Sequence, residues 1–225
     1  MKRLLSVLLV VLPLTSFAGN NDIYLTQSGT GLTLTIDQIG ASNVIGTTQT
    51  RVTLSGTSMT VDLDQIGDTN TFAASILQGN SSSWTYKATG DSNTAAITVG
   101  GTGDAAGTDF DFEATGDSNV LTFTQGDSAT ATTGNQDFVV TGTSNNINAK
   151  CNVVGCINSW TVSGNSNDID TVQSGRQDHD ITVVLTGSSN NVDVDQTDTA
   201  STNVANIIST TSTGTIDIDQ CASGC

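Results

Sequence analysis

The chain has 225 residues, with 22 acidic side chains against six basic ones and a formal net charge of −16. All of the acids but Glu113 are aspartates, and such a surface repels nucleic acid and anionic lipid, so neither is expected as a partner. Gly, Ser, Thr, Asn and Asp dominate, and Pro13 is the single proline. Composition of this kind suits either disorder or a β-rich fold. Disorder does not keep apolar residues in alternating runs bounded by turn residues at a fixed period, so an ordered all-β chain is expected.

In chain order, Met1–Ala18 comes first. Lys2 and Arg3 precede an apolar run, Leu4–Leu14, and Ser16-Phe17-Ala18 forms a small-x-small cleavage site. This predicts a secretory signal peptide, too short to span a bilayer and followed by polar Gly19-Asn20-Asn21. The expectation is an exported chain of residues 19–225 without membrane insertion. It carries four basic residues against 22 acidic ones, a net charge of −18.

Asn21–Ser28 predicts an opening strand with Ile23, Leu25 and Gln27 on one face. Leu32–Asn70 holds two clear repeats, with Arg51–Met59 expected as a half-turn between them. In Met59–Asn70, Val61, Leu63 and Gln65 alternate with Asp62, Asp64 and Ile66, which predicts a strand with one buried face. Gly67-Asp68-Thr69-Asn70 then supplies a turn, glycine for its tolerance of positive φ and Asp and Asn for bonds to their own backbone. Trp84 and Tyr86 are expected to pack in or over the coil. Val99–Asp109 resembles a turn of calcium-binding β-rolls in one imperfect copy, and a long surface turn is expected there. Phe110–Gln125, Phe138–Ala149, Trp160–Val172, Ile181–Gln196 and Ile207–Gln220 continue the alternation without a linker.

The tetrad Gly-x-Ser/Thr-Asn recurs at Gly40, Gly67, Gly90, Gly116, Gly142, Gly164 and Gly187, at steps of 27, 23, 26, 26, 22 and 23 residues. One period is strand, tight turn, strand, tight turn. Strands this short cannot bury an apolar face alone, so each period must stack on the next. The predicted fold is a β-solenoid of about 22–26 residues per coil, one repeat domain over 19–225. In it, amides at equivalent points of successive coils point inward and bond along the axis, since each has a donor and an acceptor. The candidate ladder residues are Gln38, Gly40, Asn43, Gln65, Gly67, Asn70, Asn93, Asn119, Asn145, Asn167, Asn190, Gln196 and Gln220.

Gln38-Ile39-Gly40-Ala41-Ser42-Asn43 and Gln65-Ile66-Gly67-Asp68-Thr69-Asn70, each following an alternating strand, resemble the curlin repeat of secreted bacterial amyloid fibres. The family pattern is roughly Ser-x5-Gln-x-Gly-x2-Asn-x-Ala-x3-Gln. Elsewhere the first glutamine is replaced by Ala88, Ala114, Val140, Val162 or Leu185 while Gly and Asn are kept. The resemblance implies a structural role: a subunit or nucleator of an extracellular fibre for adhesion and biofilm formation, exported through the periplasm of a Gram-negative bacterium. Its partner would be further copies of itself, or other fibre subunits, added end to end. The alternative is a capped, monomeric β-solenoid adhesin or fibre-associated binding module.

Outward aspartates such as Asp62, Asp64, Asp193, Asp195, Asp217 and Asp219 are read as gatekeepers against aggregation. A second reading has these stacked carboxylates collecting calcium, Ca2+. Cys151, Cys156, Cys221 and Cys225 meet an oxidising compartment, so disulfides are expected rather than zinc. Three connectivities are open, and Cys151–Cys156 with Cys221–Cys225 is preferred because each pair flanks one turn. His179, the only histidine, sits in a polar turn, and no catalytic or phosphate-binding motif is present, so no catalytic residue, metal or cofactor is assigned.

Overall fold

A computed structural model describes residues 20–23, 25–40, 42–46, 52–67, 69–90, 92–99, 107, 109–125, 132–152, 154–174, 180–197, 203–210 and 213–221. The expected signal peptide, most of the Val99–Asp109 turn, the turn holding His179, and Cys225 lie outside them.

Alternation becomes strand wherever the sequence carries it. The early strands are β1 (Asn20–Asp22), β2 (Thr26–Ser28), β3 (Thr33–Ile39), β4 (Ser42–Val44), β5 (Val52–Thr57) and β6 (Thr60–Ile66). There follow β7 (Thr69–Asn80), β8 (Ser83–Thr89), β9 (Ser92–Val99), β10 (Asp109–Thr115), β11 (Ser118–Gln125) and β12 (Thr132–Thr141). The last are β13 (Ser144–Cys151), β14 (Val154–Ser163), β15 (Ser166–Gln173), β16 (Asp180–Thr186), β17 (Ser189–Thr197), β18 (Val204–Thr210) and β19 (Thr213–Cys221). No helix occurs among the described residues. Arg51–Met59, expected as a half-turn, contains β5, because Val52 and Leu54 alternate inward and are buried.

Every strand pairing is parallel, and the strands form two sheets. The eight-stranded sheet runs β18-β16-β14-β12-β10-β8-β6-β3, and an eleven-stranded sheet holds the rest, ending on β1 and β19. The chain alternates between the sheets, and from β6 onward each circuit lays one strand on each, the arrangement of a β-solenoid; the first two circuits split their strand on the eleven-stranded sheet into β1 and β2, and β4 and β5. Neighbouring strands of a sheet are separated by a whole circuit in sequence, as the partners Asn43, Asn70, Asn93 and Asn119 show. The long β7 covers β4 with its first half and β5 with its second, and its register shifts between Phe72 and Ser75.

The inward faces of the two sheets meet in one continuous core, as alternating burial in β3, β8, β10 and β13 shows. Tyr86, Phe112, Phe138 and Trp160 occupy one column of the eight-stranded sheet. The Phe138 and Trp160 rings stack with centroids 4.0 Å apart and planes 8° from parallel, and Phe72 stacks on Tyr86 across the core at 4.8 Å. Parallel in-register stacking forces like residues together, so aromatic columns follow directly from the repeat.

Candidate functional site

Three polar columns run through this core. The tight turn from the eight-stranded sheet to the eleven-stranded one ends on the tetrad asparagine, whose side chain points inward. Asn70 Nδ2 donates to Asn43 Oδ1 at 2.7 Å. Further up, Asn93 donates to Asn119 at 2.7 Å, Asn119 to Asn145 at 2.8 Å, Asn145 to Asn167 at 2.7 Å and Asn167 to Asn190 at 2.7 Å. All seven are buried. The ladder also holds the turns: Asn119 and Asn145 donate to Thr141 O and Ser163 O on the next coil, each at 3.0 Å.

The ladder reverses between Asn70 and Asn93, register partners in adjacent strands. Asn70 donates towards the N-terminal end and Asn93 towards the C-terminal end, so both Oδ1 atoms lack a donor. Turning over the Asn43 and Asn70 amides would join the two runs, because an amide exchanges donor for acceptor on rotation.

Gly67, Gly90, Gly142, Gly164 and Gly187 share a second requirement. A Cβ on Gly67 or Gly90 would lie 1.5 Å from the carbonyl oxygen of the turn glycine one coil below, and one on Gly142 2.3 Å from Gly116 O. The turn pattern predicts positive φ at these glycines. Gly40 and Gly67 have φ of +155° and +158°, but Gly90, Gly142, Gly164 and Gly187 are glycine because stacked turns leave no room for a side chain. Their amides complete the contact, as Gly90 N donates to Thr115 O at 2.8 Å and Gly142 N to Ser163 O at 2.9 Å.

Glutamine forms two shorter ladders. Gln65 Nε2 donates to Gln38 Oε1 at 2.9 Å, and Tyr86 Oη donates to Gln65 Oε1 at 2.6 Å, so the tyrosine hydroxyl ends that ladder where Ala88 takes over the column. Tyr86 is fully buried, which pushes its phenol well above its ordinary pKa and keeps it a neutral donor. On the facing sheet, Gln220 donates to Gln196 at 2.6 Å and Gln196 to Gln173 at 2.8 Å. Gln125, Gln136 and Gln173 belong to these ladders as well, beyond the residues that the repeat pattern singles out. Gln136 donates to Gln125 across the core, and all three are buried. The step of six residues from Asn119 to Gln125, Asn167 to Gln173 and Asn190 to Gln196 was the available signal.

Cys151 stands in this same column, between Gln125 and Gln173, buried and not a free thiol. The side chains of Cys156 and Cys221 lie outside the description, as does Cys225 entirely, so the expected pairing rests on the sequence reading.

Outside, carboxylates stack as the repeat requires. Asp37 adjoins Asp64, Asp193 lies between Asp170 and Asp217, and Asp195 adjoins Asp219. Desolvation, then Asp195 and Asp170, raises the pKa of Asp193. Desolvation followed by Asp62 and Asp37 does the same to Asp64, and Lys87 partly offsets it. Lys87 also pairs with Glu113 at 2.9 Å on the open surface. Among the described residues no three His, Cys, Asp or Glu side chains converge to hold a metal ion.

The two ends differ from the middle. Among the described residues, β18 and β19 each pair with one neighbour, as do β3, β1 and β2 at the other end. On β19 the inward residues Ile216 and Ile218 are 45% and 40% exposed, against 1% and 0% for Val192 and Val194 beneath them. The molecule is thus a parallel two-sheet β-solenoid with internal amide ladders and an uncovered end. No protein-family model, curated protein or solved structure matches the chain.

Proposed function

We propose that the protein is a secreted structural protein, a subunit or nucleator of an extracellular amyloid-type fibre that serves adhesion and biofilm formation, as the likeness of its repeats to curlin implies. The observation that supports this reading is the open end. A stack of parallel, in-register strands stops at β18 and β19 with backbone groups and inward apolar side chains uncovered. Such an edge templates further strands. The reading uses no catalytic residue and no cofactor.

One observation favours a monomeric adhesin. Gly214 stands where the asparagine ladder would continue, and Asn190 donates instead to Ser209 Oγ at 3.2 Å. A ladder that ends inside the molecule is a step towards a cap, and a disulfide joining Cys221 to Cys225 would suit one.

Assembly of the chain from Gly19 onward separates the two. A fibre subunit forms thioflavin-positive fibres after a lag, and preformed seeds remove that lag. Growth accelerates with salt and on acidification towards the ordinary aspartate range near pH ~4, because both weaken repulsion between Asp faces. Replacing Gln38 and Gln65 by Ala slows growth. A chain that stays monomeric for weeks under all these conditions, seeds included, is no fibre subunit, and the adhesin reading then stands.

A further inference from the structure

Column by column, the two ends of the solenoid carry matching inward residues. Following strand register through the eleven-stranded sheet, Gln27 shares its column with Gln125, Cys151, Gln173, Gln196 and Gln220. Extending the registers of β2 and β1 by one residue puts Leu25 in the column of Ile218 and Ile23 in that of Ile216. Ile23 and Leu25 are only partly buried against the core. In the eight-stranded sheet, Ile36 on β3 shares its column with Ile207 on β18.

The outward columns add a charge argument. Within the molecule several aspartates stack on aspartates, as Asp37 on Asp64, Asp111 on Asp137 and Asp193 on Asp217. Across a junction between the C-terminal end of one copy and the N-terminal end of another, Asp219 would face Thr26, Asp37 would face Ile208 and Asp22 would face Thr215. No carboxylate pair arises there among the described residues. Two C-terminal ends meeting antiparallel about Ile218 would instead set Asp217 against Asp219 twice over.

The geometry points to one docking surface and one occupant: the C-terminal end formed by β18 and β19 receives the N-terminal edge of a second copy, Ile216 on Ile23, Ile218 on Leu25 and Gln220 on Gln27. This inference rests on the fibre reading and adds to it a direction and a register. Translation along the axis keeps every strand parallel and continues both sheets at once, so the junction repeats the contact found inside the molecule. It also gives Gln220 a further amide in line with its bond to Gln196.

The test uses two end-blocked variants of the chain from Gly19, Ile218→Lys and Leu25→Lys, both at partly exposed positions, with circular dichroism confirming the β spectrum of each. Gln27→Lys replaces Leu25→Lys if that variant loses the spectrum. Each variant alone is expected to remain monomeric under conditions where the unchanged chain forms fibres. Mixed in equal amounts, they should give a one-to-one dimer and nothing larger by analytical ultracentrifugation, since one retains the C-terminal surface and the other its N-terminal complement. Dimers of Leu25→Lys alone would show that C-terminal ends pair with each other, and fibres from either variant alone would show that this surface is not used. Absence of the mixed dimer when the unchanged chain does form fibres would also overturn the register while leaving the fibre reading in place. An unchanged chain that never assembles would remove both.

Discussion

Asn119 shows how much one side chain of this repeat does. It accepts from Asn93 and donates to Asn145 and to Thr141 O, joining three coils from a buried position. Removing its amide strands donors and acceptors on both sides, and an unsatisfied buried polar group costs on the order of 1–3 kcal/mol. Asn119→Ala should therefore lower the unfolding free energy by roughly 2–3 kcal/mol in urea titration. Asn148→Ala, which removes only an exposed bond to Asp170, should stay within about 0.5 kcal/mol. Equal effects would mean the ladder contributes nothing special. Gly142→Ala tests the second requirement: with backbone oxygen 2.3 Å from the new Cβ, the stacked turns must part. A soluble Gly142→Ala protein with unchanged stability would show that the turns adjust freely.

Each strand contributes inward side chains to a core only one coil thick, so its stability comes from the strands above and below. Trp160 on β14 has no exposed surface and lies flat against Phe138 on β12. Trp160→Ala removes that contact and leaves a cavity that short, hydrogen-bonded strands cannot close. The expected loss is roughly 3–5 kcal/mol, read as a fall in the urea midpoint at unchanged slope. Leu63→Asp on β6 is harsher, for it buries an unpaired carboxylate between β3 and β8. Its far-ultraviolet spectrum should lose the β signal, and retention of that signal would contradict the inward placement of Leu63.

At the scale of the whole molecule, three aspartates make stability depend on pH in the direction opposite to ordinary acid unfolding. Asp64, Asp111 and Asp193 have folded-state pKa values raised above 3.8, desolvation being the first cause for each. Between 3.8 and those raised values the folded state binds more protons than the unfolded one, so stability falls as pH rises through this window. Above it the three carboxylates are charged and impose their full penalty; below 3.8 the penalty is gone. Scanning calorimetry should find a higher transition temperature near pH 4 than at pH 7, and added salt at pH 7 should recover part of the difference by screening. A transition that falls steadily with acid would refute this account of the outer face.

Much of the molecule could be read without coordinates because the repeat ties local pattern to long-range contact. A side-chain period of two decides which face is buried, so Val61, Leu63 and Gln65 were placed inward by alternation alone. The spacing of Gly-x-Ser/Thr-Asn decided register, because like residues of successive coils fall opposite one another, and the buried asparagines obey it from Asn43 to Asn190. Tertiary structure decided the rest. That Gly90 and Gly142 must lack a side chain follows from a carbonyl oxygen a full coil away, which no local turn rule contains. That Gln136 meets Gln125 depends on two sheets facing each other across the core, and burial of Gln173 beside Cys151 depends on which strands become neighbours. Exposure of Ile216 and Ile218, the same residue types that are buried elsewhere, was decided by the stack coming to an end there: an apolar side chain is buried only where another coil exists to cover it.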